Sequence, residues 1–277
     1  EMGDFCALVE EHEIESGYLV PSIILGLAKS PLVDEYDLSS LDYITSGAAP
    51  LGKTVAAACA DRIDCRVKQG YGLTETSPVT HLAVRDAEEI PLDSVGHAVP
   101  NTEFRVVDVE THEDVKPGER GELWVRGPQV MTGYLNRPDA TADTIDESGW
   151  LHTGDVVTVD EEERVCIVDR VKELIKYKGH QVAPAELEAL LQAHDKIGDA
   201  AVIPSPDEEA GEIPKAFVVE APGSKGLTAT EVMSYVAQRV APQKKVRRVE
   251  FIEEIPKTAS GKILRRDLIE QEREKQN

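Results

Sequence analysis

The chain is 277 residues long, 41% hydrophobic and formally charged at −22, which allows two or three folded units and argues against a nucleic-acid partner, whose phosphates require clustered Lys and Arg. Cys6, Cys59, Cys65 and Cys166 form neither a CxxC pair nor a disulfide framework, so reduced, packed thiols and a cytoplasmic setting are expected. The longest apolar stretch, Leu19 to Ala28, is broken by Pro21 and falls short of the ~20 residues a membrane helix needs, so no transmembrane segment is expected.

The charge is uneven: residues 242 to 277 hold ten Lys plus Arg and seven Asp plus Glu, which is +3, so the first 241 residues carry −25. An acidic surface of this size predicts a salt-loving host, because concentrated salt screens the self-repulsion; thermal stability unchanged between dilute and molar salt would exclude it. Glu1 rather than Met opens the chain and no basic-then-apolar signal follows, which reads as a cut from a longer polypeptide.

Up to residue 94 helices alternate with short apolar strands, which predicts an α/β layer. Asp42 to Thr45 reads as a strand feeding a helix, with Leu51, Val55 and Cys59 at helical spacing behind Pro50 as a first-turn proline. Cys65 to Gln69 reads as the next strand, running into Gly70-Tyr71-Gly72. Both strand ends deliver glycine-containing turns to one sheet edge, where ligands of open α/β sheets bind.

From 95 to 169 the pattern changes to short strands, Phe104 to Val109, Glu122 to Arg126 and Val165 to Val168, with Lys116 to Glu119 as a turn, which predicts a small β unit. From 170 to 277 an α+β unit is expected. A helix starts at Pro184 with Leu187, Leu190, Leu191 and His194 on one face; a second is capped by Thr228-Ala229-Thr230-Glu231, striped by Val232, Met233, Val236 and Val240, and stopped by Pro242. Ala200 to Ile203 and Ala216 to Val219 are strand candidates, and Val249, Phe251 and Ile255 alternate as an edge strand.

Four segments carry candidate chemistry. In Gln69-Gly70-Tyr71-Gly72-Leu73-Thr74-Glu75 glycines admit a ligand to the backbone, a hydroxyl suits a phosphate oxygen and a carboxylate suits Mg²⁺; a tight strand-to-helix turn capped by Thr74 explains it equally well. Trp150 to Asp155 offers a carboxylate for ribose hydroxyls or a neutral turn, and His152 reads as a hydrogen-bonded structural histidine, since no nucleophile motif accompanies it. Asp169 to Gln181 alternates apolar and charged residues and turns at Gly179, as a solvated hairpin also would. In Pro256 to Lys262 small residues precede a lysine able to swing a point charge into a cleft, although most exposed lysines do nothing specific.

Their joint order and spacing carry more than any one of them. QGYGLTETSP, GELWVRGPQVMTGYLNRPDAT, GWLHTGD, DRVKELIKYKGHQVAPAELE and PKTASGKILRR resemble the successive motifs of the adenylate-forming superfamily, worded as in its 4-coumarate:CoA ligase and firefly luciferase branch, from about Pro21 to Arg266. The resemblance implies the carboxy-terminal half of an acyl-CoA synthetase, with a partial large domain (α/β layer plus a small β-barrel-like unit) followed by a mobile α+β lid. Such enzymes join a carboxylic acid to ATP as acyl-AMP, then pass the acyl group to coenzyme A. By similarity Lys262 supplies the adenylating charge, Thr74 contacts the α-phosphate and Glu75 binds Mg²⁺. Gly47, Ala48, Ala49 and Gln69 to Gly72 would surround adenine, Asp155 and Arg170 the ribose, and Ile167 the base; Tyr71 is either core packing or ring-facing. Lys172 aligns with the hinge, Lys178, Gly179 and Gln181 with the coenzyme A path, and Lys176 and Gln181 with functional residues of the ligase branch. Gly47, Gly72, Pro78 and Val79 match acyl-pocket positions.

The family's Ser/Thr/Gly-rich phosphate loop lies upstream of anything in these residues, so the resemblance implies that the chain needs the missing amino-terminal half of the same enzyme and does not turn over alone. Luciferase-like or amino-acid-activating acceptors, a fatty-acid substrate and a non-catalytic acidic module are the competing readings. Coenzyme A is favoured because no carrier domain follows and the chain ends Glu274-Lys275-Gln276-Asn277 rather than in a peroxisomal signal.

Overall fold

A computed structural model describes all residues except Glu1, Asp86, Glu88, Glu89, Lys225, Ala259, Ser260 and Asn277, and the side chain of Gln276. The chain divides into two compact units, Glu1–Leu51 with Ala56–Val171, and Gly52–Val55 with Lys172–Asn277.

The first unit opens with α1 (Met2–His12), β1 (Ser16–Leu19) and α2 (Pro21–Lys29). Pro21, expected as a break, sits in the first turn of α2, where its missing N–H costs nothing. β2 (Tyr43–Ser46) and β3 (Arg66–Gly72) extend a parallel set from β1, and β4 (Val79–Leu82) and β5 (His97–Ala98) add antiparallel strands in the order β1-β2-β3-β4-β5. Between β2 and β3, α3 covers Lys53–Ile63. It starts later than Pro50 suggests, because the Gln69 side chain binds both the N–H and the carbonyl of Leu51 and holds that residue out of a helix. β3 also departs from expectation: the ladder continues through Gly70-Tyr71-Gly72, which pair with Leu82, His81 and Val79, so the glycines are strand and not turn.

A second sheet, β6 (Glu103–Val107), β7 (Gly121–Arg126), β8 (Leu151–Val159) and β9 (Val165–Arg170), is an antiparallel meander, with α4 (Pro138–Thr144) between β7 and β8. One face buries Val95, Leu123, Val125, Leu151, Val157 and Val165, against which Tyr71 and Leu73 pack from the end of β3. The other face carries Trp124 and Trp150. The Lys116–Glu119 turn closes as read, with Gly118 at φ +86°.

In the second unit, β10 (Ile175–Tyr177) and β11 (His180–Val182) form a hairpin joined by Lys178-Gly179, both at positive φ, the combination that matches strand twist in two-residue turns. The sheet continues through β13 (Gly211–Glu220) to β12 (Ile197–Asp207), and β14 (Arg248–Phe251) pairs with β13 in parallel. β12 and β13 are longer than the sequence reading because helices cover both faces and erase the alternation. Ala200 and Val202 join Leu187 and Leu191 of α5 (Pro184–Gln192) and Val232 and Val236 of α6 (Ala229–Ala237); Ala201, Ile203 and Phe217 join Ile255 and Leu268 of α7 (Arg265–Gln276). Ile255 thus packs beyond β14 rather than in it. The Thr228–Glu231 capping box forms. α6 ends at Ala237, well before Pro242, so the proline is not what stops it; Ala241 is extended before proline, and a separate 3₁₀ turn begins at Pro242. His194 likewise falls beyond the end of α5.

All four cysteines are free, and Cys6, Cys59 and Cys65 are buried. Among the described residues no helix is long and apolar enough to cross a membrane.

Candidate functional site

In the first unit the parallel strands β1, β2 and β3 bring their carboxyl ends to one edge. Gly47-Ala48-Ala49 follows β2 there, anchored by the Gly47 N–H to Leu19 O at 3.2 Å, with Ala48 at φ +75°. Gln69 is buried, and its amide donates to Leu51 O at 3.1 Å and to Leu92 O at 2.6 Å while accepting from the Leu51 N–H at 3.3 Å. Its side chain braces the loop after β2, a task invisible in the motif.

Gly72 shows why glycine stands there: a Cβ would lie 1.7 Å from Pro78 O, against backbone. The same oxygen accepts from the Leu73 N–H at 2.9 Å and the Thr76 hydroxyl at 2.6 Å, closing the loop that presents Thr74 and Glu75. Gly72→Ala should therefore lower stability by about 3 kcal/mol or more in urea melts, since backbone rather than a side chain must yield; a change below ~0.5 kcal/mol would show that the loop relaxes freely.

Thr74 opens a 3₁₀ turn, Thr74–Thr76, and is exposed; it is the first residue of the turn rather than its cap. Glu75 is half-buried and oriented from two sides: the Tyr134 hydroxyl donates to its Oε1 at 2.8 Å, and its backbone O accepts from the Met131 N–H at 2.8 Å. The hydrogen bond to Glu75 pushes the Tyr134 phenol up. Tyr134 lies in the quoted GYLNRPDAT stretch, but nothing in that wording marks its contact with a residue 59 positions earlier.

The densest polar constellation centres on Asp155. Strands β8 and β9 set Asp155 opposite Arg170, whose Nε donates to Oδ1 at 3.2 Å, while the Tyr71 hydroxyl donates to Oδ2 at 2.5 Å. Asp155 is buried and the Arg170 side chain is 50% exposed, so the carboxylate is fixed from below while the guanidinium faces water. Burial, then the charge of Asp155, pushes the Tyr71 phenol far up, so it remains a donor. Tyr71 packs as the core reading expects, its ring in the apolar cluster with Ile167, and its hydroxyl donates to Asp155, a contact neither alternative named. His152 is structural as read, but by stacking: its ring lies 3.8 Å from that of Trp124 at 8°, with Nε2 3.9 Å from Asp146, beyond hydrogen-bond reach.

Pro78 and Val79 are exposed at the start of β4. His81, two residues on, is buried and edge-on to Phe104 at 5.2 Å, with Nδ1 3.0 Å from the Thr80 hydroxyl. Burial, aided by His97, lowers its pKa to about 4. The unfolded chain, with an ordinary histidine near 6.5, binds a proton between pH 6.5 and 4 that the folded chain refuses, so stability is lost as pH falls through that window. His81→Leu should flatten this slope, removing roughly 3 kcal/mol of the wild-type difference in urea stability between pH 7 and pH 4. Parallel slopes for the two proteins would refute the assignment.

In the second unit Lys176 and Gln181 stand directly opposite in the β10–β11 ladder, exposed, with Lys178-Gly179 at the tip and the buried Ile175–Val182 pair beneath. Lys172 is exposed and is the first residue of its segment of this unit. Lys262 is exposed on the loop before α7, which is held by Thr258 N–H to Lys262 O at 2.9 Å, Lys262 N–H to Thr258 Oγ1 at 3.1 Å and Leu264 N–H to Pro256 O at 2.9 Å.

The AMP-binding enzyme family model matches residues 1–135, and the AMP-binding enzyme C-terminal domain model matches residues 186–262. The chain is 50% identical over 269 residues to 4-coumarate:CoA ligase 1 of Petunia hybrida, covering 95% of this chain and 49% of that one. Against the 4-coumarate–CoA ligase of Pinus taeda it is 49% identical, covering 94% and 49%. It superposes on the anthranilate CoA ligase AuaEII in complex with anthranoyl-AMP with a TM-score of 0.89 at 26% identity, covering 98% of this chain and 52% of that one. The ATP-bound MatB of Rhodopseudomonas palustris gives 0.88 at 27%, covering 98% and 53%. The chain thus spans about half the length of the curated relatives it matches. With both family models matched in order and the whole chain following the fold of adenylate-forming enzymes, it belongs to the AMP-binding enzyme family.

Proposed function

We propose that this chain is the carboxy-terminal half of an ATP-dependent acid:CoA ligase of the 4-coumarate–CoA ligase type, acting in the cytoplasm on a small carboxylic acid. The observation that carries this reading is the Tyr71–Asp155–Arg170 constellation: a buried carboxylate held by a phenol and paired with an exposed cation, the pairing a ribose beside phosphates suits. Gly47 to Ala49 and Gly70 to Gly72 then offer backbone to adenine and to the acid, with Pro78 and Val79 at the acyl end.

The donors near Thr74 fit Mg²⁺. Among the described residues no group of three or more acidic, His or Cys side chains could cage a metal. Mg²⁺ is commonly held by one or two carboxylates plus substrate phosphates, and Glu75, next to Thr74 in the same 3₁₀ turn, supplies one oriented carboxylate. When bound, the ion would neutralise phosphate charge. The chain's own residues have the remaining task of bringing a carboxylate to an anionic phosphate: Thr74 would bond the α-phosphate and Lys262 would offset the repulsion. In the second half-reaction the unit beginning at Lys172 would turn to present Lys176, Lys178, Gly179 and Gln181 to coenzyme A.

The test is ATP–pyrophosphate exchange across a panel of acids. A polypeptide containing both halves should exchange only when a suitable acid is present, and the 277 residues alone should be silent. Robust exchange by the isolated chain, or exchange indifferent to acid, would refute the reading.

A further inference from the structure

Two adjacent arginines open α7 three residues beyond Lys262, and the fold treats them differently. Arg266 is 87% exposed and pairs with Glu270 on its own helix. Arg265 is 16% exposed and forks between two carboxylates from distant elements: Nη1 lies 2.9 Å from Glu173, directly after Lys172, and Nη2 lies 2.7 Å from the buried Glu188 of α5. The other oxygen of Glu188 accepts the Val202 N–H of β12 at 2.8 Å, so the fork is tied into the central sheet. At the other end of the loop, Lys257 pairs with Asp199 at 2.6 Å and bridges to Ile263.

The Lys262 loop is therefore clamped at both ends, and one clamp reaches the segment on which this unit begins. We propose that Arg265 is a positioning residue that joins the 171–175 segment to the Lys262 loop through Glu173 and Glu188, so that the lysine keeps its place relative to Lys172. A planar, always-charged guanidinium suits this task, since its two Nη groups hold two carboxylates in one rigid fork, whereas a lysine ammonium offers a single, freely rotating centre. The consequence for catalysis rests on the proposed role of Lys262; the clamp itself does not.

The clamp is read by hydrogen exchange on the 277-residue chain. Arg265→Met should speed amide exchange about tenfold in both 171–175 and 256–264 while β12 and β13 keep their protection. Glu173→Gln, which leaves the Glu188 pair intact, should speed the same two segments to a smaller degree, Arg265→Lys should restore part of the protection, and Arg266→Met should change neither. Unchanged exchange in Arg265→Met, or a Glu173→Gln effect confined to 171–175, would overturn the proposal. In a polypeptide containing both halves, Arg265→Met should lower kcat for acyl-AMP formation about 10²-fold through misplacement of Lys262, with KM for ATP unchanged. A rise in KM with kcat intact would also overturn it. If the wild type made no acyl-AMP at all, the ligase reading would fail while the exchange result still decided the clamp.

Discussion

Lys262→Met should reduce acyl-AMP formation by about 10²-fold or more in a polypeptide containing both halves, and leave thioester formation from supplied acyl-AMP within a few-fold of wild type. The asymmetry follows from where charge develops. A carboxylate approaching a phosphate brings two anions together, and a lysine amine delivered there stabilises the encounter; attack of a thiol on acyl-AMP makes no such demand. Lys262 sits exposed on a loop fixed by its own backbone bonds and by Lys257 and Arg265, so methionine removes the charge with little change in packing. Lys176→Met should show the reverse pattern, because Lys176 and Gln181 share one face of the β10–β11 hairpin. Measuring each half-reaction separately decides the matter, and equal losses in both steps for Lys262→Met would contradict the assignment.

Asp155→Asn should weaken nucleotide use strongly, lowering kcat/KM for ATP roughly ten- to hundredfold, the scale of one or two hydrogen bonds to a charged group. The amide keeps the shape but removes a charge that Arg170 faces and replaces one acceptor oxygen by a donor that confronts the Tyr71 hydroxyl or the Arg170 Nε. Tyr71→Phe should cost less, because it removes the 2.5 Å hydrogen bond and leaves the ion pair and the ring packing in place. Steady-state kinetics with ATP varied checks both. A Tyr71→Phe loss exceeding that of Asp155→Asn would mean that the phenol, not the carboxylate, meets the nucleotide.

Local chemistry was the legible part of this molecule. The capping box at Thr228, the proline start of α5 and the Gly118 turn depend on residues within four positions of one another, and each formed as read. Lys178-Gly179 gave the hairpin, and its register put Lys176 opposite Gln181. Readings failed where a distant partner overrode local preference. Pro50 signals a helix start, but Gln69, eighteen residues beyond Leu51, hydrogen-bonds both its N–H and its carbonyl and keeps it out of the helix. The glycines after Gln69 look like a turn, but β4 supplies a strand that keeps them in the sheet.

The site divides along the same line. Its motifs were legible as segments, whereas the contacts that orient them, Tyr71 to Asp155 across 84 residues, Tyr134 to Glu75 across 59 and Arg265 to Glu188 across 77, span separations no local pattern encodes. The arginine pair makes the point most sharply: Arg265 and Arg266 are identical as letters, and only the fold makes one a clamp and the other solvent-facing.

The most direct measurement is mass spectrometry of a two-half polypeptide incubated with ATP, Mg²⁺ and 4-coumarate or a related acid, first without and then with coenzyme A. An acyl-adenylate should accumulate on the protein with release of pyrophosphate, then disappear as the CoA thioester and AMP form in equal amounts. Release of ADP and phosphate with no adenylate, under conditions where the protein is folded and binds ATP, would contradict the account.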